Sequence, residues 1–524
     1  MNYLTKDIFC RNEFYNGSLN KLPLTAKQVS TMPVDGYTLT VRYDKTVVIE
    51  YSNQRAFRYA MRELKELCEK HKKTVPFIQI CDYPDFPIRG IIEGFYGTPY
   101  SFSTRKSLIK FCDENKLNSY FYAPKDDLYH RDKWRELYSH KFLEELEKLI
   151  DACNEKLIDF WFCISPGKDF CFSDPNDYQI LYEKISQVEK FCVCNFGLLM
   201  DDISMDLSET DKMNFNCTAK AQAHLANKTF EYLKAQNLSS RLVFCPTEYI
   251  EYFDTPYKQS LRENLNKSIK VFWTGYNTIA EKICTSESVE VKKTFGVETM
   301  IWDNYPVNDF EPKGRIYMGA ITNRSQDLYK IHSGYIINPM EKWYASQIAV
   351  LTMAHFGWNG AKYDAEKSLR IAVNSIANEN DLDKKAFMVF VEANKSNVMR
   401  ISKLDQNLKK WWDSENFDKL SHYYEKLLQA VNILSDARDS ELKAEIEMHI
   451  KNIRAECEIF FSLPNIDEKI FSEFILFKER GSNQFLSEYI KRKKLFLDYN
   501  GIKIDEPRKN YWEFQQMHPN GFKK

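Results

Sequence analysis

A chain of 524 residues is too long for one ordinary core; at roughly 150 residues per domain it should hold about three domains, or one large barrel with accessories. Its 73 basic and 74 acidic side chains nearly cancel, which excludes a global field that would draw it to nucleic acid or to an acidic membrane surface. No run of about 18 uncharged apolar residues occurs, so no membrane-spanning helix is expected.

The segment from Met1 to Leu22 has no apolar leader core, and the expectation is a soluble, cytoplasmic protein. From Gly36 to about Lys72 alternating apolar and polar residues give way to helical spacing through Phe57, Tyr59, Ala60, Leu64 and Leu67. This predicts a small α+β module over residues 1–84. Pro84 and Pro87, three residues apart, would end either kind of element and read as its linker.

From Arg89 to about Met340 short apolar runs alternate with long amphipathic segments: RGIIEGFYG, NSYFYAPK, DFWFCISPG, FGLLMDDIS, RLVFCPTEY, KVFWTGY, ETMIWDNYP and GYIINPM. Eight strand-like runs are what a (β/α)8 barrel needs, and residues 85–357 are assigned to one. Trp134, Tyr138, Phe142, Leu146, Leu149, Ile150 and Cys153 predict a barrel helix over Arg131 to Cys153. The 13 cysteines are scattered and odd in number; Cys163, Cys192, Cys194 and Cys245 fall in strand-like runs and read as reduced thiols. Cys192 and Cys194 have no second ligand pair at zinc spacing.

Each run ends in polar or aromatic residues: Glu93 and Tyr96, Lys125, Ser165, Asp201 and Asp202, Glu248 and Tyr249, Trp273, Asp303 and Asn304, and Asn338. A barrel gathers strand C-termini into one ring, so these residues could converge. Asp and Asn also end strands as ordinary turn residues, a role that suits Lys, Trp and Tyr poorly. After about Trp358 the strand signal fades. Amphipathic helices are expected from Asp364 to Ala377, Leu382 to Ala393, Leu420 to Leu434, Glu441 to Phe460 and Ile466 to Phe477, forming a helical domain over 358–524. Lys491 to Lys494 reads as a solvated face.

The adjacent carboxylates Asp201 and Asp202 are the sharpest feature. Like charges on consecutive residues in a poorly hydrated mouth repel, which favours unequal roles. A glycosidase that supplies its own nucleophile or base places its carboxyl groups on opposite sides of the scissile bond, about 5–9.5 Å apart. Neighbouring Cα atoms, about 3.8 Å apart, suit that badly. They suit a reaction in which a 2-acetamido group of the substrate attacks its own anomeric carbon, one Asp holding the amide and the other protonating the leaving oxygen. The rival is a hard-cation site from Asp201, Asp202, Asp303 and Asp309, serving a Mg-dependent hydrolase. The candidate ring has few His and several aromatics, so neither a metal nor a cofactor is expected.

These residues resemble glycoside hydrolase family 84, the O-GlcNAcase and bacterial β-N-acetylglucosaminidase family. The resemblance is carried in order by Arg89 to Gly97, Tyr122 to Asp127, Asp201-Asp202, Pro246 to Tyr249, Trp273 to Gly275, Trp302 to Asp309 and Asn338 to Met340. It implies a retaining exo-β-N-acetylglucosaminidase acting on β-N-acetylglucosaminide glycans or O-GlcNAc glycoproteins through an oxazoline intermediate. Asp201 would take the acetamido N–H and Asp202 would be general acid, then base. Tyr249 would donate to the acetamido oxygen, while Trp302 and Cys245 would line the methyl pocket. Gly94, Lys125, Asp309 and Asn338 would bind sugar hydroxyls, and Asn304 would brace the acetamido end. Lys125 has a rival role as a structural partner of Asp126 or Asp127. Tyr276 after Gly275, and Thr98-Pro-Tyr100 after the first motif, depart from the usual pattern near the rim and bear on the leaving group. A protein that only docks sugar would need neither the acid nor Lys125 and Tyr249.

Overall fold

The alternation between Gly36 and Tyr51 is realised as two neighbouring strands of a five-stranded sheet. A computed structural model describes residues 4–16, 18, 21–72, 74–310, 315–397, 401–463 and 481–492. Strands β1 (Asp7–Asn16), β2 (Leu24–Gln28), β3 (Tyr37–Val41), β4 (Val47–Tyr51) and β5 (Thr74–Asp82) lie in the order β1-β5-β3-β4-β2. Tyr37, Leu39 and Val41 alternate into a core closed by Tyr59, Ala60 and Leu67 of α1 (Gln54–Lys70), whose first turn is capped by Asn53.

This sheet is tied to the rest by buried charge. Asp35 pairs with Arg89 at 3.0 Å and with Arg55 at 3.2 Å. Burial alone would raise its carboxyl, but the two guanidiniums prevail and hold it at about 2. Trp358 adds an indole N–H to Asp82 at 3.0 Å.

The eight runs form a closed parallel barrel of β6 (Ile88–Glu93), β7 (Ser119–Tyr122), β8 (Asp159–Ile164), β9 (Asn195–Leu199), β10 (Arg241–Cys245), β11 (Lys270–Trp273), β12 (Thr299–Pro306) and β13 (Gly334–Asn338). Pairing of β13 with β6 closes it. Around it run α2 (Phe102–Glu114), α3 (His140–Glu155), α4 (Pro175–Glu189), α5 (Glu209–Phe215), α6 (Thr218–Gln236), α7 (Pro256–Asn264), α8 (Thr285–Phe295) and α9 (Trp343–Trp358). The last is buried on nearly every side because it packs between β12, β13, α10 (Ala365–Glu379) and α14 (Glu441–Phe461). Between those two come α11 (Lys384–Ala393), α12 (Lys403–Asp413) and α13 (Phe417–Ser435), and α15 (Gly481–Arg492) follows.

Two expectations need correction. The helix expected from Arg131 starts at His140, where Ser139 Oγ accepts from Phe142 N; Trp134 and Tyr138 are buried in the turns before it and mimic helical spacing. Helix α12 was not foreseen. The helix expected from Ile466 to Phe477 lies outside the described residues, as do Lys493 and Lys494.

Strand alternation assigns every barrel residue a side. Ile92, Phe121, Cys163, Leu199, Val243, Phe272, Trp302 and Ile336 pack together in the lumen. Two residues further along each strand stand Gly94, Ala123, Ser165, Asp201, Cys245, Thr274, Asn304 and Asn338. One chain position after a lumen residue, the side chain faces the helices instead. No described helix is long and apolar enough to cross a membrane.

Candidate active site

Lumen parity brings most of the expected residues to the barrel mouth. Two positions beyond Ala123, Lys125 places Nζ on Asp201 Oδ2, with both side chains almost wholly buried. The rival role for Lys125 is not realised: Asp126 accepts from Gly97 N at 2.9 Å, and Asp127 accepts from the Tyr122 and Tyr138 hydroxyls at 2.6 and 2.8 Å. The other Asp201 oxygen, Oδ1, is buried with no hydrogen-bond partner among the described residues. A buried carboxylate oxygen without a donor is costly, so Asp201 is built to receive one.

Asp202 should face the helices by alternation. Its φ of 54° ends the strand in the left-handed region, which Asp tolerates better than most residues, and turns the side chain over the mouth instead. There Oδ1 accepts from the Tyr249 hydroxyl at 3.0 Å and Oδ2 from the Tyr96 hydroxyl at 2.8 Å. Burial, followed by the charges of Asp202 and Asp201, pushes both phenols well up, so both are donors at neutral pH.

The floor is apolar. Trp302 meets Phe272 edge-on with ring centroids 5.3 Å apart, and its ring lies 5.5 Å from Lys125 Nζ. Cys245 is fully buried in the same cluster; burial pushes its thiol well up, so it acts as a neutral wall. Gly94 is required by contact: a Cβ there would lie 2.4 Å from Trp302 Cζ2. Its N–H donates to Asn338 Oδ1 at 3.2 Å, Asn338 Nδ2 to Asn304 Oδ1 at 2.8 Å, and Asn304 Nδ2 to Thr278 O at 2.8 Å. This chain of amides fixes the orientation of all three residues. At the rim, Asp309 Oδ2 accepts from Tyr96 N at 2.7 Å; desolvation by the surrounding protein raises its carboxyl to about 6 despite that bond.

Four members of the expected ring lie elsewhere. Glu93 is one residue past Ile92, faces α2 and pairs with Arg105 at 2.8 Å. Asp303, one past Trp302, pairs with Arg324 at 2.8 Å and accepts from Tyr335 at 2.7 Å. Trp273 stacks on His332, and Glu248 accepts from Thr255. With Asp303 held by Arg324 and Asp201 by Lys125, the four-carboxylate cation site does not assemble. Among the described residues no group of three or more His, Cys, Asp or Glu is placed to hold a metal ion.

The helical spacing that predicts a helix from Arg131 hides that residue's place in the site. Arg131 donates to the Tyr96 hydroxyl at 2.6 Å and to the backbone oxygen of Asp202 at 3.1 Å. The sequence marks Tyr96 only as a strand-end residue. The signal that could have found Arg131 is a second cation six residues after Lys125, in the same mouth loop.

A family model described as beta-N-acetylglucosaminidase matches residues 89–392. The proteins called Protein O-GlcNAcase in Rattus norvegicus and Mus musculus are each 37% identical over 284 residues. That is 52% of this chain and 31% of theirs, so the chain spans under a third of the length of these relatives. A solved structure described as CpGH84B matches with a TM-score of 0.77 at 26% identity, covering 94% of this chain and 96% of its own. A Thermobaculum terrenum O-GlcNAc hydrolase mutant matches with a TM-score of 0.68 at 27% identity, covering 79% and 91%.

Proposed function

Because the chain belongs to the beta-N-acetylglucosaminidase family, we propose that it is a retaining exo-β-N-acetylglucosaminidase. Its substrates are terminal β-linked N-acetylglucosamine residues, including those O-linked to Ser or Thr of proteins. The observation that carries this reading is the unequal treatment of two adjacent carboxylates. Asp201 has one oxygen on Lys125 and the other buried without a donor among the described residues, beside an apolar floor of Trp302 and Cys245.

An acetamido N–H supplies the donor that Asp201 Oδ1 lacks, and the acetyl methyl rests on the floor. The acetamido oxygen is then held towards the anomeric carbon, and the Tyr249 hydroxyl, which donates to Asp202 Oδ1 in the free site, turns to it as donor. As that oxygen attacks, positive charge grows on the amide and is met by Asp201, whose negative charge Lys125 fixes in place. Asp202 gives its proton to the departing glycosidic oxygen. It then takes one from the water that opens the oxazoline, returning the β configuration. Two neighbouring positions suffice because the nucleophile belongs to the substrate. Asn338, the Gly94 backbone, Lys125 and Asp309 bind sugar hydroxyls, and Asn304 braces the acetamido end.

Turnover of an O-GlcNAc-modified peptide and of chitobiose, by the wild type, Asp201→Ala and Asp202→Ala, tests this. The expected result is release of N-acetylglucosamine, with a loss of about 10²–10⁴-fold in kcat/KM for each variant. Binding of the sugar with no turnover by the wild type would make the protein a docking module and overturn the reading.

A further inference from the structure

The two carboxylates each have a cation, but they meet it differently. Lys125 touches Asp201 directly, whereas no cation touches the Asp202 carboxyl within 4 Å among the described residues; Arg131 reaches it through the Tyr96 phenol. We propose that Arg131 is a positioning residue for the proton donor, gripping the Tyr96 hydroxyl and the Asp202 backbone so that the Asp202 carboxyl is presented from one fixed direction. This rests on the reading of Asp202 as general acid.

Arg131 is only 4% exposed and, among the described residues, forms no ion pair; its Nε has no partner. A buried guanidinium without a carboxylate in contact is a poor device for stability. Its planar fork does suit two acceptors at once. One arm meets the Tyr96 oxygen, and since that oxygen accepts there, the phenol's single proton goes to Asp202 Oδ2. The other arm meets the Asp202 carbonyl, which the left-handed turn has removed from the barrel ladder. Both ends of the turned residue are thereby held from one side.

The loop that carries Arg131 is anchored next to it. His130 Nδ1 bonds Cys163 O at 2.9 Å, and the His130 carbonyl accepts from Ser165 N at 3.0 Å. Both partners belong to the end of β8, so the position of Arg131 is set by the barrel itself. Lysine at this position would keep the charge, but a point charge does not reproduce the two-armed grip.

The test compares an alkyl β-N-acetylglucosaminide, whose leaving oxygen needs a proton, with a dinitrophenyl β-N-acetylglucosaminide, whose leaving group does not. Arg131→Lys, Tyr96→Phe and the double variant are assayed on both, with thermal melting as a check of folding. Each single change should lower the alkyl-to-dinitrophenyl ratio of kcat/KM by about tenfold, a fraction of what a general acid supplies. The double variant should lower it little further, because both changes break one relay. Tyr96 is 38% exposed, so Tyr96→Phe keeps the test decisive if Arg131→Lys folds poorly.

Equal losses on both substrates, or losses that multiply in the double variant, would overturn the proposal. Asp202→Asn is the control: it should collapse the same ratio. If it does so while the Arg131 and Tyr96 variants leave the ratio within about twofold of wild type, the positioning role alone fails. If Asp202→Asn also leaves the ratio unchanged, the general-acid reading fails, and the positioning role with it.

Discussion

Asp201 and Asp303 are both carboxylates at the end of a barrel strand, both buried and both paired with a cation, yet they occupy different chemical worlds. Asp201 stands in lumen register, keeps one oxygen without a partner among the described residues and borders the apolar floor. Asp303 stands one residue past the lumen position of its strand, and its oxygens are taken up by Arg324 and Tyr335. Glu93 repeats the Asp303 pattern, with both oxygens engaged by Arg105 and further donors from Tyr100 N and Tyr120. Between Asp201 and these two braces the difference is a buried oxygen left open, and the one-residue step of the strand decides it; Asp202, also one step past lumen register, enters the mouth only because its left-handed φ turns it there.

Three perturbations would break or sharpen this contrast. The largest effect is expected at Asp303→Ala, which leaves the buried Arg324 charge unpaired and should cost about 3–5 kcal/mol of stability. Below its melting transition the variant should keep far more turnover than Asp202→Ala. Chemical denaturation with kinetics at low temperature checks both halves, and an equal catalytic collapse would erase the distinction between braces and site.

A somewhat smaller effect concerns pH. Burial pushes the His130 imidazole down to about 4, so the folded protein excludes a proton that the unfolded chain binds below about 6.5. The unfolded state therefore holds more protons in this window. Stability from this group is complete above pH about 6.5 and is lost as pH falls towards 4, by up to about 3 kcal/mol. His130→Asn should flatten this part of the profile in urea unfolding at a series of pH values. An unchanged slope would show that His130 is not held neutral beside β8.

The smallest effect is Gly94→Ala, which forces a methyl against Trp302 and should cost about 1–3 kcal/mol. Because the displaced ring forms the floor of the site, kcat/KM should fall as well.

Much of this was legible beforehand. Eight apolar runs separated by helical segments admit few arrangements other than a closed parallel barrel, and the order of the short motifs located its mouth. Lys125, Asp201, Asp202, Tyr249, Asn304 and Asn338 stand out because they end those runs, whereas Trp302 is implied only by the family resemblance; the structure places all seven around one mouth. The helix expected from Arg131 shows where the reading failed. Trp134 and Tyr138 are buried at helical intervals, but they pack from turns held by long-range bonds, such as Trp134 Nε1 to Asp169 at 2.8 Å. Periodicity reports which side chains are buried, not the backbone that buries them.

The sequence by itself determined the architecture and the neighbouring carboxylates, because strand alternation, helix spacing and adjacency are local properties of the chain. Only the tertiary structure decided which strand-end carboxylates are saturated by Arg105 or Arg324 and which are not. It also decided that Asp202 turns by its left-handed φ into the same mouth as Asp201, and that Arg131 reaches it through Tyr96. Those outcomes depend on partners between about 12 and 106 positions away, and such distances close only when the barrel does.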